Sequence, residues 1–415
     1  MLRVNKPDSL MAESISVMAS SLIPSDTYEV TLRKALSFNR TELIATSRLD
    51  HFMGTFIGRG VRPMGLFESL TPCEDFRFGS YCKCTPPDPF NFYTRVGRLR
   101  NSTGEILQST HLMKRWLHPY VARIEIEEGG ICGTLFKPPG DGPFPSIIDI
   151  SGTGGGINEQ KREPHSPRKG FCVLCLAFFQ YKTLTKNLND LDLDYFKDAI
   201  NWMTSQKFVP NEIGLQGVSF GGLLVHLIAI RNPKVVAVCS INGGHVLADV
   251  TKIKEHGEYL PYVNLRERSE FVHFVNQTMF CNKCFENLRV TPEADIGIQT
   301  APRTTAFRFV TSLDDYSTPT VFCTRLLEEA LRNSSHYVEV DFVPGGHLMD
   351  PPYFPCHQAV YSKLAGTIQA YGGEPSQHGA SQSKVWSNTI AFFKQFLGKP
   401  QPIKDYRLET SRSHI

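Results

Sequence analysis

The hydrophobic pattern of this chain changes near residue 126, and this change constrains the fold more than any other feature. From about 24 to 125, apolar and polar residues alternate in short segments such as TYEVTLRKAL, and loops such as CTPPDPF contain prolines. Alternation with a period of two is typical of strands buried on one face. The segment 24–125 is therefore predicted to be an all-β domain, a sandwich.

Beyond residue 126 the apolar runs are continuous, which is typical of parallel strands covered on both faces. PSIIDISG (145–152) and FCVLCLAFF (171–179) are two such runs. In LDLDYFKDAINWMTSQ, apolar residues recur at spacings of three and four, which predicts one face of a helix. Strand and helix patterns then alternate, so residues 126–400 are predicted to form a mostly parallel α/β sheet with helices on both faces.

Three segments do not follow these two patterns. Residues 251–305 interrupt the alternation with charged clusters, and we interpret them as an insertion over the carboxyl edge of the sheet. Residues 1–23 lack the features of a secretory signal or transit peptide and are expected to be a loose leader. Residues 401–415 are expected to be a C-terminal tail.

Composition excludes several classes of function. The chain has 415 residues, with 44 Lys and Arg against 41 Asp and Glu, so its charge of +3 does not favour nucleic acid as a partner. No apolar run approaches the ~18–20 residues that span a bilayer, so no stable membrane insertion is expected. The irregular spacing of 11 cysteines indicates a reducing, intracellular compartment. The sequence carries no signal for an oligomeric state.

The insertion contains a lone CxxC pair, Cys281 and Cys284. A structural zinc site needs four ligands, and no second pair with suitable spacing follows. We therefore predict no metal and no cofactor.

The stretch IGLQGVSFGG (213–222) contains a G-x-S-x-G pattern between a strand-like and a helix-like run. In this context Ser219 stands on a sharp strand-to-helix turn, where Gly217 and Gly221 avoid side-chain crowding. The N–H groups at the start of the helix can stabilise developing negative charge. The alternative is a glycine turn with a buried serine, but the strand–turn–helix context favours a nucleophile.

A serine hydroxyl needs a base and an orienting acid, which follow it in the order acid, then histidine, in this type of fold. Asp314 and Asp315 follow the predicted strand AFRFVTS, and His347 follows the predicted strand YVEVDFV. We favour Asp315 as the acid and keep Asp314 as the alternative. His226 lies within a predicted helix and His245 follows the serine too closely, so neither suits the role of base.

An oxyanion hole would combine the Phe220 N–H with an N–H from the glycine loop SGTGGGINE (151–159), for which Gly154 and Gly155 are candidates. A glycine-rich loop can also bind phosphate. This one lacks both the G-K-[ST] ending and the G-x-G-x-x-G spacing, so nucleotide binding is not expected.

Longer motifs surround these residues: GVSFGG, SLDDYS, PGGHLMDPPYFP and GGEPSQHGASQSKVW, with RPMGLFESL (62–70) in the N-terminal half. Together they resemble the family of type I acyl-CoA thioesterases and bile acid-CoA:amino acid N-acyltransferases. The resemblance implies a β-sandwich followed by an α/β-hydrolase domain, with a fatty acyl-CoA as substrate. It implies Ser219 as nucleophile, Asp315 as acid and His347 as base.

In that family a serine nucleophile marks the hydrolases and a cysteine marks the amino-acid-conjugating enzymes, so Ser219 implies hydrolysis. Phe220 and the stretch 251–305 depart from the family pattern, and the acyl-chain preference stays open. An N-acyltransferase using glycine or taurine is the main alternative. A carboxylesterase and an inactive acyl-CoA-binding protein are further ones.

Two further features of the sequence have more than one interpretation. Lys161, Arg162, Arg168 and Lys169 follow the glycine loop and either bind the phosphates of CoA or belong to a solvated loop. The tripeptide Ser413-His414-Ile415 is similar to the S-K-L peroxisomal signal. It predicts a peroxisomal import receptor as partner and a peroxisomal location; if it is only a polar tail, the protein is expected to be cytoplasmic.

Overall fold

The structure is a computed structural model that describes residues 2–10, 13, 15, 17–20, 28–35, 42–49, 55–57, 71–72, 92–115, 117–157, 169–285, 288, 290–352, 354, 356–401 and 403. Its N-terminal strands are β1 (Leu2–Val4), β2 (Asp8–Leu10), β3 (Val17–Ser20), β4 (Tyr28–Ala35), β5 (Glu42–Leu49), β6 (Thr55–Ile57), β7 (Thr71–Pro72), β8 (Phe92–Arg100) and β9 (Ile106–Arg115). They form one sheet in the order β1-β3-β6 and another in the order β2-β9-β8-β4-β5-β7. Apart from the parallel pair β2–β9, the strands are antiparallel. This is the all-β N-terminal region that the alternating pattern predicted.

The expectation of a loose leader over residues 1–23 is wrong for the part that the structure describes. Residues Leu2 and Leu10 are buried, and β2 pairs with β9 over Asp8–Leu10. The strands β1, β2 and β3 have only three or four residues each, which is too short for alternation to be visible in the sequence.

The remaining strands are β10 (Ala122–Glu128), β11 (Ile131–Lys137), β12 (Ser146–Ile150), β13 (Cys172–Ala177), β14 (Ile213–Val218), β15 (Val235–Ile241), β16 (Lys254–Glu255), β17 (Glu258–Tyr259), β18 (His273–Val275), β19 (Thr278–Phe280), β20 (Ala306–Ser312), β21 (Val338–Val343), β22 (Ala359–Ser362) and β23 (Thr367–Ala370). Eight of them form the main sheet, in the order β10-β11-β13-β12-β14-β15-β20-β21. The pairs β10–β11 and β11–β13 are antiparallel and the others are parallel. Because β10 spans the predicted boundary at 125/126, the exact division into domains stays a prediction.

In the described part of the chain, four α-helices accompany this sheet: α1 (Leu193–Ser205), α2 (Phe220–Arg231), α3 (Thr320–Asn333) and α4 (Pro375–Leu397). Helix α1 begins where the Asp192 side chain accepts a hydrogen bond from the Asp194 N–H at 3.0 Å, which satisfies one free donor of the first turn. Helix α4 begins at a proline and is capped by the Glu374 carboxylate. In both helices, an acidic side chain just before the first turn accepts hydrogen bonds from backbone N–H groups of that turn.

The helices cover both faces of the main sheet. Side chains of α1, α2 and α3 pack in one hydrophobic cluster with one face of the strands, including Phe196, Leu224 and Leu327. Side chains of α4, including Phe392 and Phe393, pack in a second cluster on the other face. This arrangement is the α/β-hydrolase architecture, and it confirms the predicted fold class.

The stretch 251–305 lies between β15 and β20. It contains two short hairpins, β16–β17 and β18–β19, and the second joins β23 and β22 in a four-stranded sheet of order β18-β19-β23-β22. No helix in the described part of the chain is long and apolar enough to cross a membrane.

Candidate active site

Ser219 occupies the turn between β14 and α2, at the carboxyl end of a central parallel strand. Its φ of 57° and ψ of −124° are unusual for a residue with a side chain and are maintained only where the surroundings hold them. Part of that support is the hydrogen bond from the Ser219 N–H to the Ile241 carbonyl, at 2.9 Å. The turn therefore projects the serine side chain away from the strand.

Two glycines make this turn possible, as the G-x-S-x-G pattern predicted. A Cβ at Gly217 would lie 2.1 Å from the Gly221 carbonyl oxygen. A Cβ at Gly221 would lie 2.4 Å from the Ile150 carbonyl oxygen. Neither approach is sterically possible, because the contact is to backbone that cannot turn aside.

His347 lies between Ser219 and Asp315. Its Nε2 atom is 2.8 Å from Ser219 Oγ, and its Nδ1 atom is 2.7 Å from Asp315 Oδ2. The side chains of His347 and Asp315 are both about 1% exposed. The structure thus brings together three residues that are up to 128 positions apart in sequence, in the geometry of a nucleophile, a base and an orienting acid.

The two adjacent aspartates have different partners. Asp315 Oδ1 accepts hydrogen bonds from the N–H groups of Ser317 and Thr318, at 2.8 and 2.9 Å, while Oδ2 faces the histidine. Asp314 Oδ2 instead accepts from the Gly373 N–H at 2.9 Å. Asp314 also bonds to the hydroxyl of the neighbouring tyrosine and thereby raises the pKa of Tyr316. The geometry therefore favours Asp315 over Asp314 as the acid.

The glycine loop lies against Ser219. A Cβ at Gly152 would be only 3.1 Å from the Ser219 Cβ, and Thr153 lines the same cavity as Ser219 and Phe220. The Gly155 N–H points to the Gly152 carbonyl at 3.4 Å. No motif in the sequence pointed to Thr153, and the assignment of Gly154 and Gly155 to an oxyanion hole stays a prediction.

A cavity of about 530 Å³ opens beside Ser219. One part of its wall is apolar and comes from the segment after β15 and from the predicted insertion: Val246, Val250, Leu265, Val272, Met279 and Phe285. Most of these residues belong to one hydrophobic cluster. The segment 251–305 thus supplies much of the wall above the carboxyl end of β14.

Cys281 and Cys284 also line this cavity. The Gln369 amide donates to Cys281 Sγ at 3.0 Å, and the thiol donates to the Ser317 carbonyl at 3.5 Å. Burial raises the pKa of the Cys281 thiol to about 12 and also raises that of Cys284. Among the described residues, no group of three or more His, Cys, Asp or Glu is arranged to hold a metal ion.

In the described part of the chain, neither His226 nor His245 contacts Ser219 or Asp315, and neither takes the place of His347. Burial lowers the pKa of His226 to about 3 and that of His245 to about 4. His226 packs against Phe307 and Phe309, and His245 Nδ1 lies 3.1 Å from Cys323 Sγ. Both environments favour neutral imidazoles with a structural role.

Other predicted residues fall outside the described part of the chain. These are Lys161, Arg162, Arg168 and the tripeptide Ser413-His414-Ile415. Lys169 is described and exposed. The alternatives for these basic residues and for the C-terminal tripeptide stay open.

Sheet order, strand–turn–helix geometry and the position of Ser219 define an α/β-hydrolase. Residues 191–399 match the model of the BAAT/acyl-CoA thioester hydrolase C-terminal region, and residues 45–128 match that of the acyl-CoA thioester hydrolase/BAAT N-terminal region. The chain belongs to this family of acyl-CoA thioester hydrolases and BAAT proteins.

Relatives within the family carry both activities in their names. Mouse acyl-coenzyme A thioesterase 1 is 30% identical over 93% of this chain and 94% of its own length. Mouse acyl-coenzyme A amino acid N-acyltransferase 1 is 28% identical over 94% of this chain and 96% of its own length. Mouse peroxisomal succinyl-coenzyme A thioesterase is 29% identical over 95% of this chain and 96% of its own length.

Proposed function

We propose that this protein hydrolyses acyl-CoA thioesters through an acyl-enzyme formed on Ser219. The observation that carries the proposal is the continuous chain of contacts from Ser219 Oγ to His347 Nε2 at 2.8 Å and from His347 Nδ1 to Asp315 Oδ2 at 2.7 Å. A serine hydroxyl is a weak nucleophile, and a hydrogen-bonded imidazole oriented by a carboxylate can activate it.

In the first half of the reaction, His347 accepts the Ser219 proton while Oγ attacks the thioester carbonyl carbon. The N–H of Phe220 and a donor from the loop 152–156 stabilise the negative charge that forms on the carbonyl oxygen. The C–S bond then breaks, the sulfur of CoA takes the proton from His347, and the acyl group remains on Ser219 as an oxygen ester.

In the second half, His347 accepts a proton from water, and the resulting hydroxide attacks the acyl-enzyme carbonyl. Collapse of the tetrahedral intermediate releases the fatty acid and returns the proton to Ser219. Each step uses only the side chains and backbone N–H groups of this site together with water.

The cavity and the family relationship support an acyl-CoA as substrate. The apolar wall around Leu265 and Phe285 can bury the hydrocarbon chain of an acyl group, which is favourable in proportion to the area removed from water. The family match and the thioesterases among the relatives favour a CoA thioester over a simple oxygen ester.

Charges in the cavity support water as the acceptor. Glycine or taurine would bring a carboxylate or sulfonate that needs a cation. Among the described residues that line the cavity, the cationic side chain is Arg266, and it pairs with the buried Asp249 carboxylate at 3.3 Å. This pairing disfavours transfer to an amino acid, the activity named for the mouse N-acyltransferase relative.

The products of turnover test this assignment. We expect a panel of acyl-CoAs to yield free CoA, detected as thiol, and free fatty acid, detected by mass spectrometry. Millimolar glycine or taurine should not change the products, because the Asp249 carboxylate 3.3 Å from Arg266 offsets the charge of the cationic side chain among the described cavity residues. Mainly N-acylglycine or N-acyltaurine would replace the hydrolase assignment with a transferase.

We further propose a peroxisomal location, supported by the similarity of Ser413-His414-Ile415 to S-K-L and by a relative that is named peroxisomal. A fluorescent protein fused to the N-terminus should give puncta that coincide with a peroxisomal marker. Removal of the three residues should make the signal diffuse. A diffuse signal from the intact fusion would show that the tripeptide is not an import signal.

A further inference from the structure

We propose that Asn242 is a positioning residue that holds the His347 loop in register with Ser219 and Asp315. The proposal rests on the proposed function, in which these three residues act together. Asn242 directly follows β15, is 2% exposed and has a φ of 50°. Asparagine tolerates this left-handed conformation better than most residues with a side chain.

The side-chain amide of Asn242 connects two loops. Its Nδ2 atom lies 2.7 Å from the His347 carbonyl oxygen, 3.3 Å from that of Gly346 and 2.9 Å from Ser312 Oγ. Its Oδ1 atom accepts a hydrogen bond from the Ser312 N–H at 2.8 Å. The Nδ2 group of Asn242 therefore contacts both the loop that carries His347 and the end of β20, and Oδ1 contacts the end of β20.

The backbone around Asn242 reaches the remaining parts of the site. The Asn242 N–H donates to the Val310 carbonyl on β20 at 2.9 Å. The carbonyl of the preceding residue, Ile241, accepts the N–H of Ser219 at 2.9 Å. Ser312 in turn lies three positions before Asp315. The segment that ends β15 thus contacts the segments that carry the nucleophile, the acid and the base.

This arrangement has a consequence for catalysis. The three reacting groups are carried by loops after three different strands, and their 2.7–2.8 Å contacts depend on the relative position of those loops. A displacement of about 1 Å in such a site can cost on the order of 100-fold in rate. The amide of Asn242 limits that displacement without touching substrate.

Two substitutions distinguish the effect of losing the Asn242 amide from the effect of disturbing its backbone conformation. Asn242→Gly accepts the positive φ without strain and removes the whole amide. Asn242→Asp has nearly the same shape and keeps an acceptor for the Ser312 N–H. It places an oxygen, however, where the amide now donates to the carbonyls of Gly346 and His347.

The matched control is Asn388→Asp. Asn388 Nδ2 donates to the Asp341 carboxylate at 2.9 and 3.2 Å, so the change also turns a donating amide into a carboxylate opposite oxygen atoms. Asn388 lies in α4 and has no described contact with Ser219, Asp315 or His347. It should lower thermal stability and leave the kcat for acyl-CoA unchanged.

The test measures kcat and KM for an acyl-CoA, the rate of labelling of Ser219 by a fluorophosphonate, and thermal stability. Both Asn242 variants should lose about 10- to 100-fold in kcat and in labelling rate, with KM nearly unchanged. A folded Asn242→Gly protein with the kcat and labelling rate of the parent would overturn the proposal. If the glycine variant does not fold, parental values in Asn242→Asp would overturn it instead. An equal kcat loss in Asn388→Asp would also overturn it, because destabilisation alone would then explain the effect.

Labelling keeps this test independent of the substrate. If the parent protein reacts with the fluorophosphonate but does not cleave acyl-CoA, the proposed function fails. The role of Asn242 is then still decided by the labelling rates of the variants.

Discussion

Replacing Ser219 or His347 with alanine should lower acyl-CoA turnover by roughly 10⁴–10⁶-fold, the range found when a serine triad is broken. Ser219→Ala removes the atom that would carry the acyl group. His347→Ala removes the group 2.8 Å from that atom that would accept its proton. Each variant is measured by release of free CoA under saturating substrate.

His226→Leu is the control for a buried histidine. His226 is fully buried, its ring nitrogens have no hydrogen-bond partner among the described residues, and its ring lies against Phe307 and Phe309. Its replacement should leave turnover near the parent value. A Ser219→Ala protein that still hydrolyses acyl-CoA at close to the parent rate would show that Ser219 is not the nucleophile.

Asp315→Asn should lower turnover by about 10⁴-fold, as for the corresponding change in a serine protease, because an amide in place of the carboxylate favours the wrong histidine tautomer. Asp315 Oδ2 contacts His347 Nδ1 directly, so the loss should appear in kcat. Comparison of kcat at fixed pH with the parent enzyme measures the effect.

Asp314→Asn is the matched control for this change. Its carboxylate accepts from the Gly373 N–H and contacts the Tyr316 hydroxyl, so we expect a far smaller loss, expressed mainly in stability. The opposite ranking of the two variants would assign the acid to Asp314 and leave the roles of Ser219 and His347 unchanged.

The elements of the α/β region could be predicted because their physical cause is local. A strand buried on both faces, such as β13, must be apolar throughout, and a half-buried helix such as α1 must repeat its apolar residues every three or four positions. The G-x-S-x-G turn is also local, since Gly217 and Gly221 are required by close backbone contacts within the turn and with the adjacent strand.

Contacts between distant segments could not be read in the same way. Asn242 meets the His347 carbonyl across 105 positions, and a single buried asparagine has no periodicity that would reveal such a partner. Thr153 lines the cavity because the glycine loop folds against Ser219, which depends on the packing of two strands. The choice between Asp314 and Asp315 likewise depends on which carboxylate turns towards the histidine.

The acyl-enzyme on Ser219 is the central claim, and rapid acid quench of the enzyme during turnover of a saturating acyl-CoA tests it most directly. Peptide mass spectrometry should find the mass of the acyl group on the peptide that contains Ser219, and Ser219→Ala should show no such peptide. A burst of CoA release without modification of Ser219 would contradict the account. So would an acyl group carried instead by Cys281 or Cys284, whose thiols line the same cavity.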